Sequence, residues 1–125
     1  MGTFRRELEI GATEDGEFFE VNALVDTGAT YSSLPEDFLA RLGVEPTDKR
    51  PFILANGQQV SYGLAWVRVR LDGREQPTPV IFGERGSEPL LGAVTLEEFG
   101  LAVDPVNRRL MPTPGYLVGI IEQDA

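Results

Sequence analysis

Ala23-Leu24-Val25-Asp26-Thr27-Gly28-Ala29 is the stretch on which the reading of this chain turns. An apolar run delivers a single carboxylate into a tight turn, and Gly28 lets the backbone bend there and be approached closely. The Thr27 hydroxyl can hydrogen-bond across a symmetry axis. One carboxylate alone in such a turn is a poor acid–base catalyst. Two of them brought together by a twofold axis cannot both ionise comfortably, so they share one proton. The tripeptide by itself also suits an ordinary strand-ending turn, and its context has to decide between the two readings.

On the N-terminal side, Phe4, Leu8 and Ile10 occupy even positions and Phe19, Val21, Ala23 and Val25 odd ones. Both patterns have period two, and Glu14-Asp15-Gly16 between them is a turn signal, so the pair predicts a hairpin that feeds directly into Asp26. On the other side comes a hydroxyl-rich loop (Thr30 to Ser33), then Pro35 and acidic Glu36-Asp37, which suit a first helical turn. Phe38, Leu39 and Leu42 would face the core, with Gly43 as the stop. Pro51–Leu54 and Gln59–Tyr62 flank Ala55-Asn56-Gly57-Gln58, and Asn-Gly is a strong hairpin signal. Val67, Val69 and Leu71 alternate with Trp66, Arg68 and Arg70, Asp72-Gly73 turns the chain, and Thr78–Phe82 predicts a further strand.

Pro89 precedes Leu90-Leu91-Gly92, and Thr95–Phe99 reads as a second short helix ended by Gly100. Leu101–Val103 and Leu110-Met111 flank a turn built on Asp104-Pro105 and Asn107. Tyr116–Ile121 reads as a last strand, a slight favourite for pairing with a partner subunit. Strand, Asp-Thr-Gly, helix and Gly43 are echoed by strand, Leu-Leu-Gly, helix and Gly100, which suggests two halves on one plan.

Composition narrows the chemistry. The chain has 125 residues, enough for one domain, with 14 glycines and 9 prolines that favour short strands over a helix bundle. There is neither cysteine nor histidine, which removes disulfides, thiolate metal sites and every Ser–His or Cys–His arrangement. Acid–base work then falls to carboxylates, a tyrosine, a terminus or Lys49. The net charge of −9 opposes nucleic acid and anionic membranes as partners. No apolar run approaches a signal or membrane segment, and the expectation is a soluble, cytoplasmic protein.

Other residues have plainer readings. Glu36-Asp37 and Glu97-Glu98 read as solvated helix faces, Arg5-Arg6 and Arg108-Arg109 as solvated strand and turn faces, and Trp66 and Tyr62 as packing rather than cleft. Gly83–Ser87 lacks the lysine and spacing of a phosphate loop.

Leu24-Val25-Asp26-Thr27-Gly28-Ala29, the hairpin around Asn56-Gly57 and Leu90-Leu91-Gly92 together resemble the retropepsin-like (clan AA) aspartic proteases, above all the small single-domain kind found in prokaryotes. The resemblance covers about residues 3–112 and leaves 113–125 as a tail, a possible dimer-interface strand. It implies an all-β, closed barrel-like fold with one or two short helices, one domain over 1–125, and an endopeptidase that works as a homodimer on extended peptides without cofactor or metal. It implies Asp26 as the catalytic carboxylate, with Thr27 and Gly28 shaping the site and Ala29 and Thr30 lining the cleft. Ala55, Asn56, Gly57 and Gln58 would form a flap over substrate, and Leu90, Leu91 and Gly92 would buttress the catalytic loop. The shared-proton chemistry is that established for aspartic-protease dyads, and an acidic to mildly acidic optimum is expected. Viral members carry an aspartate and an arginine, paired together, where this chain has Thr30 and Ala93. The rival reading is a catalytically weak or inactive retropepsin-fold module for dimerisation or peptide binding.

Overall fold

A computed structural model describes residues 3–12 and 16–115. The alternation near the N-terminus becomes an antiparallel pair, β1 (Phe4–Gly11) and β2 (Phe18–Val25), in register from Phe4 opposite Val25 to Gly11 opposite Phe18. Glu14 and Asp15 of the expected turn lie outside the described residues. Leu8, Ile10, Val21, Ala23 and Val25 are buried as their spacing requires. Phe19 departs from the pattern and is 42% exposed. It sits near the start of β2, at the rim of the core, while its neighbour Phe18 packs beneath the Arg70 guanidinium at 3.8 Å.

Then follow β3 (Ser32–Pro35), α1 (Glu36–Arg41), β4 (Asp48–Ile53), β5 (Gln59–Leu71) and β6 (Arg74–Gly83). After them come β7 (Leu90–Leu91), α2 (Ala93–Glu98), β8 (Leu101–Asp104) and β9 (Arg109–Pro112). The two segments expected within 59–71 form one strand that runs through Gly63. A Cβ at Gly63 would meet the Pro46 ring at 3.0 Å, so that glycine accommodates a crossing chain and does not interrupt the strand. β6 starts four residues earlier than Thr78. Its Pro77 and Pro79 fall where only β5 lies alongside, since β3 joins at Val80, and a missing donor is tolerated there.

One sheet has the order β1-β2-β7-β3-β6-β5-β4, and β5 also pairs with β1 through Ile10 opposite Val69. Six strands therefore close into a ring, with β4 hanging from β5 outside it. The fold is all-β with two short helices. Val67 and Val69 of β5 and Val80 of β6 fill the ring with the inward residues of β1 and β2, and Leu39 and Leu96 of the helices close it with Phe99, which follows α2.

The ring carries an internal twofold plan. β2 runs parallel to β7, β3 runs parallel to β6, and β3 meets β7 antiparallel at Ser33 and Leu90. Exchanging β1 with β5, β2 with β6 and β3 with β7 reproduces the pattern. Each half then ends in a six-residue helix and a positive-φ glycine, Gly43 at +79° and Gly100 at +66°. This corrects the sequence-based alignment of the two halves. Leu90-Leu91 is the counterpart of β3, and the counterpart of the Asp26 turn is the loop Glu84–Glu88. Both loops close a turn the same way, Ala29 N–H to Asp26 C=O at 3.1 Å and Ser87 N–H to Glu84 C=O at 2.9 Å.

β8 and β9 form a separate two-stranded sheet whose turn is organised by Asp104. The Asp104 carboxylate accepts from the amides of Val106 and Asn107 at 3.1 and 3.2 Å and from Asn107 Nδ2 at 2.8 Å. The expected strand Tyr116–Ile121 lies outside the described residues. No helix among them is long and apolar enough to cross a membrane.

Candidate active site

β2 ends at Val25, 2% exposed, and the next residue leaves the sheet. Asp26 is thus half-buried at the end of a strand whose own side chains fix its position. Its amide donates to Leu91 C=O at 3.0 Å, and Leu24 N–H donates to Pro89 C=O at 2.9 Å, so β7 holds the strand end from the side. Asp26 Oδ1 accepts the Gly28 amide at 2.9 Å. A Cβ on Gly28 would lie 3.2 Å from that same oxygen, so this residue leaves room for the carboxylate. Asp26 Oδ2 has no hydrogen-bond partner among the described residues. Thr27 and Thr30 are exposed and Ala29 half-buried, all in the same turn.

The loop is stapled to α2 by backbone alone. Ala93 N–H donates to Ala29 C=O and Val94 N–H to Thr30 C=O, each at 2.9 Å. The two positions that lack the charged pair, Thr30 and Ala93, are thus still tied across this junction. Gly92 is where the chains come closest. A Cβ there would sit 2.6 Å from both the carbonyl carbon and oxygen of Tyr31 and 2.9 Å from Ala29 O, distances no side chain tolerates. Leu90, Leu91 and Gly92 thus meet the Asp26 turn through one hydrogen bond from Asp26, one buried leucine and one close backbone contact.

Beneath the loop lies a group of hydroxyls that sequence reading missed. Ser32, Thr78 and Thr95 are at most 5% exposed. Ser32 Oγ accepts the Gly92 amide at 2.9 Å and lies 2.6 Å from Thr95 Oγ1, which is 2.8 Å from Thr78 Oγ1. Each buried hydroxyl has a partner, as low-dielectric burial demands. The network joins β3, β6 and α2 under the candidate catalytic turn. A serine and two threonines on two strands and a helix gave no signal that they would meet.

The candidate flap Ala55-Asn56-Gly57-Gln58 is the exposed tip of the β4–β5 hairpin. Gly57 N–H donates to Leu54 C=O and Leu54 N–H to Gln58 C=O, both at 2.8 Å, and Gly57 has φ +89°. This is a three-residue connection with glycine in the left-handed position. Asn56 Oδ1 accepts the Gln58 amide at 2.9 Å and stiffens the tip.

Of the side chains between the candidate flap and the Asp26 loop, Tyr62 was read as packing, and Arg50 and Phe52 were not singled out from sequence. Tyr31 meets the Phe52 ring edge-on at 6.1 Å, Phe52 meets Tyr62 at 6.0 Å, and Arg50 Nη1 donates to Tyr31 Oη at 3.1 Å. Trp66, expected as packing, is 48% exposed instead. Two pairs read as solvated faces are each half right. Asp37 accepts the Gly86 amide at 3.1 Å, which holds its carboxyl below the usual range, and Glu98 Oε1 is buried without a partner among the described residues. Glu36 and Glu97 are exposed.

A family model described as "gag-polyprotein putative aspartyl protease" matches residues 12–98. Among solved structures, the solution structure of simian foamy virus (mac) protease is similar at 21% identity, over 77% of this chain and 94% of that one, with a TM-score of 0.56. The EIAV protease complexed with the inhibitor HBY-793 is similar at 22% identity, over 81% of this chain and 91% of that one, with a TM-score of 0.61. At these identities the likeness shows a shared fold. No curated protein matches the sequence.

Proposed function

Since this chain belongs to the gag-polyprotein aspartyl protease family, we propose that it is a homodimeric endopeptidase of the retroviral type, with Asp26 as its catalytic carboxylate. The observation that carries this reading is the presentation of Asp26: half-buried at a strand end, Oδ1 fixed by the Gly28 amide, Oδ2 left without a partner among the described residues. A hydrolytic carboxylate needs that asymmetry, one oxygen for orientation and one for a proton or water.

The second carboxylate comes from a second copy. The internal twofold plan offers a counterpart of the Asp26 turn, but Glu84-Arg85-Gly86-Ser87-Glu88 contains no Asp-Thr-Gly. The dyad is therefore assembled on a molecular axis, near which we place exposed Thr27. A groove lined by Thr27, Ala93, Leu96, Leu101 and Val103 runs from this turn along α2 and β8 and offers apolar surface to that copy. We assign Thr113, Pro114 and Gly115, which line the same groove, to that interface.

In the dimer the two Asp26 side chains share one proton. The ionised member takes a proton from a bound water as its oxygen attacks the peptide carbonyl carbon. The protonated member gives its proton to the carbonyl oxygen. Collapse of the tetrahedral diol breaks the C–N bond, with a proton delivered to the leaving nitrogen. Ala29 and Thr30 would line the cleft, and Ala55–Gln58 would cover an extended peptide. The lack of a charged pair at Thr30 and Ala93 favours the small single-domain prokaryotic kind over the viral one.

The test is cleavage of a diverse peptide mixture from about pH 3.5 to about pH 7.5, wild type against Asp26→Asn. Activity that rises toward acid and vanishes in the variant is the expected result. A folded dimer that binds extended peptides and cleaves none would make the protein a binding module instead.

A further inference from the structure

The hairpin formed by β4 and the first part of β5 projects beyond the closed ring. From Asp48 to Tyr62 its strands pair only with each other, and β6 joins β5 at Leu64. A two-stranded ribbon has little stability of its own and little to fix its direction. Among the described residues, one hydrogen bond leaves this ribbon for another element, from Arg50 Nη1 to Tyr31 Oη at 3.1 Å.

Tyr31 stands three residues past Gly28, in the loop that carries Asp26. Its backbone is wedged against Gly92, and its ring stands at 90° to Phe52, with centroids 6.1 Å apart, within the range of an attractive edge-on pair. Arg50, Phe52 and Tyr62 lie on one face of the ribbon, because Arg50 is opposite Tyr62 and Phe52 is two residues nearer the tip on the same strand. Arg50 is itself aimed by Asp48, whose Oδ2 accepts from Nε at 3.2 Å. The guanidinium fork thus spans from its own strand to the phenol, which a lysine ammonium could not do with the same geometry.

We infer that Tyr31 is a positioning residue: with Arg50 and Phe52 it latches the hairpin to the catalytic loop and sets the flap's direction before substrate arrives. This rests on the protease reading for its catalytic consequence and on geometry alone for the latch. A flap ordered in advance loses less freedom when it closes on a peptide, so the latch contributes to binding rather than to the chemical step. A cost in KM with kcat retained is the signature of such a contribution.

The experiment compares wild type, Tyr31→Phe, Arg50→Met and the double variant by peptide-cleavage kinetics and by amide hydrogen exchange. Tyr31→Phe keeps the ring contact and removes only the hydroxyl. It is expected to raise KM about threefold to tenfold, with kcat within about twofold, the scale of one hydrogen bond. Hairpin amides at 52–60 should exchange faster by a similar factor while those of Val21–Val25 keep their wild-type rates. In the Arg50→Met background the hydroxyl should no longer matter. The proposal is overturned if Tyr31→Phe leaves hairpin exchange unchanged, if exchange rises equally throughout the protein, or if its effect persists in full without Arg50. If the wild type cleaves no peptide, the protease reading falls, and the exchange measurements still decide the latch.

Discussion

The amide of Asp26 donates to the carbonyl of Leu91 at 3.0 Å, so the candidate catalytic residue hangs from a strand of the other half of the internal repeat. Immediately after Leu91 the chain passes so close to Tyr31 that only glycine fits. Gly92→Ala should therefore force backbone against backbone, with no flexible side chain to yield. Overpacking of this kind costs about 1–3 kcal/mol. Cleavage should fall much further than stability, because the displaced segment is the loop that carries Asp26. Urea denaturation and peptide-cleavage assays on the same preparation separate the two. A variant with wild-type activity would show that the Gly92 contact does not set the loop.

The buried hydroxyls give a second prediction. Thr95→Val keeps the shape of the side chain and removes the atom lying between Ser32 Oγ and Thr78 Oγ1. Thr78 loses the one side-chain partner described for it, while Ser32 keeps the Gly92 amide. Stranding a buried hydroxyl costs about 1–3 kcal/mol, and equilibrium unfolding should show a loss in that range with an unchanged denaturant slope. Replacing Thr78 by Val as well should recover part of it, since no orphan then remains.

The elements just described differ in how far the sequence announced them. Val21, Ala23 and Val25, and Val67, Val69 and Leu71, declare their strands because period-two alternation is a local property of a half-buried sheet. The Asp26 turn, the Asn56-Gly57 tip and the helix stops at Gly43 and Gly100 were likewise legible, because backbone demands at those points restrict residue type. Closure of the ring was implied by the family resemblance, but the pairing that makes it was not legible. Ile10 meets Val69 across 59 positions, and neither residue carries a mark of the other. The same holds for Arg50 and Tyr31, and for Thr78 and Thr95. Gly63 carried no mark of its constraint, the Pro46 ring, which comes from outside its strand.

Substitutions at Asp26 should separate orientation from chemistry. Asp26→Asn retains an oxygen to accept the Gly28 amide, whereas Asp26→Ala leaves that amide without its 2.9 Å partner. Both should lose cleavage. Only the alanine variant should lose stability, by about 0.5–1.5 kcal/mol for one hydrogen bond. Thermal and urea unfolding of the two proteins side by side is the measurement, and equal stabilities would mean that the Gly28 amide finds water as good an acceptor.

Loss of stability in acid follows from four carboxylates held below their usual range. Hydrogen bonds do most of it: from the Gly86 amide to Asp37, from the Lys49 amide and then Arg50 to Asp48, from Arg68 and then Arg70 to Glu75, and from Asn107 to Asp104. Each group is easier to ionise folded than unfolded. Its contribution is therefore complete above the unfolded value of about 4 and is lost as pH falls through the lower folded value. For these groups urea midpoints should hold steady from about pH 7 to about pH 5 and decline only below about pH 4. Asp37→Asn cannot ionise, so it should make that decline shallower while changing little at neutral pH, where an exposed carboxylate contributes modestly. On the proposed protease reading, with its expected acidic optimum, the fold has to outlast the proton uptake that the chemistry uses. The acid limb of the cleavage profile should accordingly begin before the unfolding limb. If the two coincide, loss of activity in acid reports unfolding and not the chemistry of the site.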